Sequence, residues 1–202
     1  MNKDIFLDKL EQIVGEVECP LNYNHDYELL IAVMLSAQTT DVTVNKVTKE
    51  LFSKYDIYSL SKASEEDILK IVNPCGMKIK ARHTIEIAKR LVECYDGKVP
   101  NDRAFLESLP GVGHKTANVT LSELFDEPAL AVDTHVSRVA KRLGIASEFD
   151  DVLTVEEKLV AFFNGVNFRK LHLELLMFGR NVCKSKNPNC DFCPFKEYCK
   201  NK

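Results

Sequence analysis

Hydrophobic positions recur with a helical period in almost every segment of the chain. The nearly continuous apolar stretch 26–37 predicts a buried helix, and an apolar stripe over about 42–54 predicts a second, with Asp41 as its N-cap. Further helices are predicted over 65–72, 79–95, 102–108, 114–124, 155–163 (capped by Thr154) and 171–178, with one that begins at Asp133 and ends near Gly144. The N-terminal segment has an amphipathic helical pattern, and no stretch alternates as a strand does. The predicted fold class is all-α.

The composition is that of a folded, water-soluble protein. Hydrophobic residues make up 45% and charged residues 28% of 202 positions. The longest apolar run, Leu29 to Leu35, is far shorter than the roughly 18 residues of a membrane span. The N-terminus lacks the apolar core of a signal peptide. We therefore expect a cytoplasmic protein with no membrane partner.

Charge is unevenly distributed along the chain. The net charge is −3, yet residues 161–202 carry eight Lys and Arg against three Asp and Glu. A basic end of this kind is compatible with a face that binds an anionic ligand. A solvated, lysine-rich tail would give the same count, so charge alone leaves both interpretations open.

The segment Leu109-Pro110-Gly111-Val112-Gly113, followed by a predicted helix, is typical of a helix–hairpin–helix. Gly111 and Gly113 permit backbone angles and close approaches that a Cβ would obstruct. The N–H groups of the turn and the positive end of the next helix can then hold a phosphate. The alternative is a simple αα-hairpin, because Pro and Gly are common in helix connections.

Two polar residues near this hairpin suggest covalent chemistry. Lys115 lies in the first turn of a helix, where the dipole opposes a cation and favours a neutral, nucleophilic amine. Asp133 lies 18 residues further on between apolar neighbours, and by itself it is best interpreted as an N-cap. Together beside a phosphate-binding hairpin, they suggest a Schiff-base enzyme that acts on a nucleic-acid sugar.

Four of the seven cysteines crowd into the last twenty residues with the spacing C-x6-C-x2-C-x5-C: Cys183, Cys190, Cys193 and Cys199. An odd total without a secretory signal argues against a disulfide framework. Four thiolates could hold Zn²⁺ or an iron–sulfur cluster. Cys19, Cys75 and Cys94 are interpreted as ordinary buried thiols.

These motifs together resemble the helix–hairpin–helix–Gly/Pro–Asp family of DNA glycosylases and abasic-site lyases, in its endonuclease III branch. The matching stretches are LLIAVMLSAQTTDVTVNKV, LPGVGHKTANV, AVDTHVSRVAKRL and the cysteine tail, in order from about residue 20 to residue 199. The resemblance implies two helical lobes with the lesion site in the cleft between them. Residues 21–128 would form a six-helix lobe with the hairpin, and residues 1–20 with 129–202 would form the cluster lobe.

The resemblance also implies the activity. Lys115 would attack C1′ of a damaged pyrimidine nucleotide flipped out of the helix, and the resulting imine would undergo β-elimination. Asp133 would stabilise positive charge on the sugar and assist proton transfer. The cysteine tail would hold a [4Fe-4S] cluster with a structural role. The partner would be double-stranded DNA with oxidised pyrimidines or abasic sites, bound by a monomer.

The family pattern assigns DNA contacts to further residues. Gln38 matches a glutamine that fills the space left by the flipped base, although it could instead cap a helix end. Met77 aligns with an apolar wedge, but Lys78 and Ile79 replace the more usual Tyr-Asn or Tyr-Arg. The remaining expected DNA contacts are Gly111, Gly113, His114, Lys184 and Lys186.

Three other functions explain fewer of these features. The family's adenine glycosylase has a catalytic glutamate in the early helix, which is absent between Val33 and Ser36, and it lacks a lysine at position 115. A non-enzymatic DNA-binding module would explain the hairpin but not the Lys115 and Asp133 pair. A purely structural helical protein explains neither the hairpin nor the cysteines.

Overall fold

The computed structural model describes residues 2–200, and no β-strand occurs among them, which confirms the all-α prediction. Its helices are α1 (Lys3–Val14), α2 (Asp26–Leu35), α3 (Asp41–Lys54), α4 (Ile57–Leu60), α5 (Glu65–Val72), α6 (Ile79–Tyr95), α7 (Arg103–Ser108), α8 (His114–Phe125), α9 (Thr134–Arg142), α10 (Val152–Phe162) and α11 (Phe168–Asn181). Short 3₁₀ turns cover Asn73–Cys75, Cys190–Phe192 and Lys196–Tyr198. Within residues 2–200, no helix combines the length and the apolar character that a bilayer span requires.

Two predicted helix caps are wrong by a few residues. Thr40, and not Asp41, caps α3, because its hydroxyl accepts a hydrogen bond from the Thr43 N–H. Asp151, and not Thr154, caps α10 by accepting from the Thr154 N–H. In both places neighbouring residues compete for the cap, and the hydrophobic pattern locates a helix end only to within a turn.

The segment Cys19–Phe125 forms one compact unit, which contains α2 to α8. Nine of the ten residues of α2 are buried, so this helix lies at the centre of the unit. The one-turn helix α4 was not predicted and brings the α-helices of this unit to seven instead of six. A helix this short has too few positions to show a hydrophobic period.

A second compact unit consists of Met1–Glu18 together with Asp126–Lys202. Its core is aromatic: the Phe6 ring stacks on Phe195 with centroids 4.5 Å apart and lies 5.1 Å from Phe163. Phe178 meets Phe195 edge to face at 5.4 Å. Phe195 lies between two cysteines of the tail, so this core fixes the tail against α1 and α11.

Candidate functional site

The hairpin between α7 and α8 uses its two glycines differently. Gly111 has a φ of +77°, and a Cβ there would lie 2.7 Å from His83 Nδ1 and 3.1 Å from Met34 Cγ. A Cβ on Gly113 would meet no heavy atom within 4 Å beyond its own chain neighbours. The fold itself therefore requires glycine at Gly111, whereas Gly113 leaves a bare, open stretch of backbone directly before α8.

Polar side chains brace the two helices of the hairpin. His114 Nδ1 lies 3.1 Å from Glu107 Oε1, and its Nε2 lies 3.3 Å from Asn118 Nδ2. Arg103 Nη1 donates to Asn118 Oδ1 at 2.6 Å. The exposed His114 ring is thus tied to both α7 and α8. Its role at the DNA remains a prediction. The contact between Arg103 and Asn118 has no local signal in the sequence, because the two residues lie on different helices.

Lys115 is the second residue of α8 and is half-buried, immediately beyond the open face at Gly113. In the other unit, Asp133 is the half-buried N-cap of α9, as its sequence context favours. Asp133 Oδ1 accepts from the N–H groups of His135 and Val136, both at 2.8 Å. Asp133 Oδ2 receives no hydrogen bond from the described residues, so the cap uses only one of the two carboxylate oxygens.

Gln38 and Met77 both present exposed side chains after a helical segment ends. Gln38 follows α2 and has a φ of +58°, a left-handed conformation that is uncommon outside glycine and often marks a functional site. Its side chain makes no hydrogen bond with any described residue, so the capping alternative for Gln38 is wrong. Met77, 49% exposed, follows Gly76, whose φ is +92°.

A buried lysine that the sequence analysis missed lies between these two segments. The Lys80 side chain is only 2% exposed, and its Nζ donates to the carbonyls of Leu35 (2.8 Å), Ala37 (2.6 Å) and Cys75 (2.7 Å). Burial lowers the pKa of Lys80, and the nearby Cys75 thiol opposes that effect. The available signal was a lysine on the buried face of α6, in line with Thr84, Ile87 and Leu91.

The tail brings its four cysteines to one cavity of about 510 Å³, which Leu143, Phe178 and Val182 also line. Burial raises the pKa of the Cys193 thiol, and the other three thiols of the tail act in the same direction. Within residues 2–200, no three His, Cys, Asp or Glu are grouped as ligands of a metal ion.

The cysteines outside the tail are only partly as predicted. Cys75 is buried, as expected. The expectation is wrong for Cys94, which is exposed on the last turn of α6, and for Cys19, which is half-buried.

Two arginines of α9 hold the basic loop of the tail. Arg142 Nη1 donates to the Lys184 carbonyl at 2.7 Å and approaches Cys183 Sγ at 3.4 Å. Arg138 Nε donates to the Cys183 carbonyl at 3.0 Å. Lys184 and Lys186 are exposed on this loop. Sequence reasoning missed both arginines, because their partners lie more than forty residues away.

Comparison with known proteins places the chain in a family. The sequence pattern of the HhH-GPD superfamily base excision DNA repair proteins matches residues 31–164. The endonuclease III of Rickettsia felis is 45% identical over 181 residues, which cover 89% of this chain and 84% of that protein.

Two solved structures are similar over nearly the whole chain. A non-covalent endonuclease III–DNA complex has a TM-score of 0.93 at 40% identity, covering 99% of this chain and 96% of that one. A trapped covalent endonuclease III–DNA intermediate has a TM-score of 0.92 at the same identity and coverage. The chain therefore belongs to the HhH-GPD superfamily of base excision DNA repair proteins, among the endonuclease III enzymes that are DNA glycosylases and abasic-site lyases.

Proposed function

We propose that this enzyme removes oxidised pyrimidines from double-stranded DNA and then cleaves the strand through an imine on Lys115. The observation that carries the proposal is the position of Lys115 in the first turn of α8, directly beyond the open backbone at Gly113. A phosphate held at such a helix N-terminus would bring a nucleotide sugar to the lysine. The covalent DNA intermediate trapped with a 40% identical endonuclease III supports the same chemistry.

The proposed reaction needs no oxidant or reductant. The Lys115 amine attacks C1′ of the extruded nucleotide, and the C1′–N bond breaks with its electron pair leaving on the base. The free oxygen of Asp133 stabilises positive charge on the sugar and assists proton transfer. The sugar ring then opens, because the C1′–O4′ bond breaks and O4′ takes a proton while the Lys115 nitrogen forms a double bond to C1′. Loss of a C2′ proton from this imine expels the 3′ phosphate, which nicks the strand.

Substrate choice follows from the cost of taking a base out of the stack. Extrusion costs a few kcal/mol, and less for a damaged base that stacks badly. Oxidised pyrimidines have lost their aromatic planarity and are therefore cheap to extrude. Gln38 would offer amide donors and an acceptor to the orphaned partner base, and Met77 would act as the apolar wedge. The DNA backbone would be positioned, with no readout of base sequence, by Lys184, Lys186, His114 and the hairpin glycines.

We further propose that Cys183, Cys190, Cys193 and Cys199 hold a [4Fe-4S] cluster. The fit rests on the donor set and the room: four thiols line one cavity of about 510 Å³ that has apolar walls. When bound, the cluster would cross-link the tail and hold the basic loop. The Arg142 contacts to Cys183 and Lys184 would fix that loop from the other side.

The test is a panel of duplexes that each carry one lesion, incubated with the purified protein. We expect release of thymine glycol and similar oxidised pyrimidines, followed by nicking, from a monomeric protein that works in the cytoplasm. An adenine opposite 8-oxoguanine serves as the competing substrate. Release of that adenine with no action on oxidised pyrimidines would overturn the proposal.

A further inference from the structure

The contacts of Lys80 join two separate segments of the chain around one ammonium group. The Gln38 loop (residues 36–40) follows α2, and the Met77 segment (residues 73–77) precedes α6. Lys80 Nζ donates to carbonyls of residues 35 and 37 on the first side and to the Cys75 carbonyl on the second. It also lies 3.2 Å from Thr39 Oγ1. These four contacts form the Lys80 bridge.

The Lys80 bridge binds the backbone close to the two exposed side chains, Gln38 and Met77. Two of its acceptors, the Ala37 carbonyl and the Thr39 hydroxyl, belong to the residues directly before and after Gln38. A third acceptor, the Cys75 carbonyl, lies two residues before Met77. Thr39 Oγ1 in turn donates to the Cys75 carbonyl at 2.7 Å, so the two segments are also linked directly.

Burying an ammonium group costs free energy unless its hydrogens are paired. Here the fold supplies carbonyl oxygens that are left without a partner at a helix end. Carbonyls at the end of α2 have no partner within that helix, and the negative end of the helix dipole favours a cation there. The three ammonium hydrogens face four oxygens, so the group is fully paired. An apolar side chain at position 80 could fill the same space, but it would make no hydrogen bonds to join the two segments.

We propose that the Lys80 bridge is a positioning device, which holds Gln38 and Met77 as one rigid pair so that both enter the DNA duplex together. This inference rests on the proposed function, in which Gln38 fills the vacated space and Met77 is the wedge. Lys80 is buried and touches no DNA in this scheme. It acts through the backbone on either side of Gln38, whose left-handed conformation needs such support.

The experiment uses a duplex with a tetrahydrofuran abasic analogue and 2-aminopurine as the opposite base. Insertion beside that base unstacks it, so its fluorescence rises when saturating wild-type protein is added. Lys80→Met and Thr39→Val are expected to bind this duplex and to lose most of the rise. Their single-turnover excision from a thymine-glycol duplex should slow by about tenfold, the factor that corresponds to about 1.4 kcal/mol.

Two controls separate positioning from general stability. Thr84→Val removes a buried hydrogen bond within α6, from Thr84 Oγ1 to the Lys80 carbonyl, and leaves every hydrogen bond of the Lys80 side chain in place. Thr39→Ser keeps the hydroxyl and should restore the fluorescence rise. If Lys80→Met does not fold, Thr39→Val and Thr39→Ser carry the comparison alone.

The outcomes distinguish this inference from the proposed function. The fluorescence readout needs binding and not excision, so it tests the bridge whichever lesion is the substrate. Wild-type protein that excises no oxidised pyrimidine would count against the proposed function. A full fluorescence rise and an unchanged excision rate with Thr39→Val would overturn the bridge, as would an equal loss with Thr84→Val.

Discussion

At the scale of single residues, Lys115 is the proposed nucleophile. Lys115→Gln replaces the amine by an amide of similar length, so we expect neither base release nor nicking, with binding to lesion DNA retained. Gel assays of a thymine-glycol duplex measure both products. Lys54→Gln, an exposed lysine on α3 paired with Glu50, is the matched control and should leave activity unchanged. Nicking by Lys115→Gln at a rate near that of the wild type would mean that the nucleophile is another group.

Asp133 is both a helix cap and a proposed participant in catalysis, and one substitution separates the two roles. Asn caps a helix nearly as well as Asp, so Asp133→Asn should cost little stability. Loss of the carboxylate should slow turnover by more than about tenfold, or roughly 1.4 kcal/mol of barrier. Asp151→Asn makes the same change at the cap of α10 and should leave the rate unaltered. Equal turnover in the two variants would reduce Asp133 to a cap.

Some candidate site residues can be identified from the local sequence, and others cannot. Lys115 and the four tail cysteines carry their signal locally, in a helix start and in a fixed spacing. Lys80 and Arg142 carry no such local signal, because each donates to carbonyl groups that lie more than forty residues away in the sequence. Buried cations are therefore the class of site residue that periodicity misses in this chain.

At the scale of elements, the hairpin offers a test within one turn. Gly111→Ala should cost roughly 1–2 kcal/mol or more, because an L-residue is strained at positive φ and its Cβ would meet His83 and Met34. Gly113→Ala should fold as well as the wild type, yet weaken binding to abasic-site DNA, because its methyl group would occupy the face proposed for phosphate. Thermal unfolding and fluorescence anisotropy measure the two effects. Unweakened binding by Gly113→Ala would remove the hairpin from the DNA interface.

The cysteine tail is the second element with a direct test. Anaerobically purified protein should be yellow-brown and contain iron in preference to zinc. Replacing Cys193 by alanine should bleach it and weaken DNA binding, because the loop with Lys184 and Lys186 loses one of its anchors. The control replaces Cys19, Cys75 and Cys94 by alanine together and should keep the colour. Stoichiometric zinc without iron, found by elemental analysis, would contradict the cluster.

Helices themselves were predictable where the apolar stripe is long. The pattern predicts α6 with both of its ends, because seventeen residues cover several turns. It misses α4, which has four residues, and it misplaces the caps of α3 and α10. At a helix end, adjacent polar residues such as Thr40 and Asp41 are near-equivalent caps, and the backbone path decides between them.

At the scale of the whole molecule, one compact unit is built from both ends of the chain, and the other is continuous. The aromatic contacts of Phe6 with Phe163 and Phe195 explain physically why the two ends of the chain form one unit, because large rings bury the most apolar surface per residue. These long-range contacts leave no periodic trace in the sequence. A division of this kind becomes predictable only through resemblance to a family, and not through periodicity.

Borohydride trapping on a thymine-glycol duplex, followed by mass spectrometry of the cross-linked peptide, identifies the residue that forms the imine. Reduction of an imine leaves a stable bond between the enzyme amine and the sugar. We expect the cross-link on Lys115 and no cross-link with Lys115→Gln. A cross-link on any other amine, or efficient nicking with no trapped species, would mean that Lys115 is not the nucleophile.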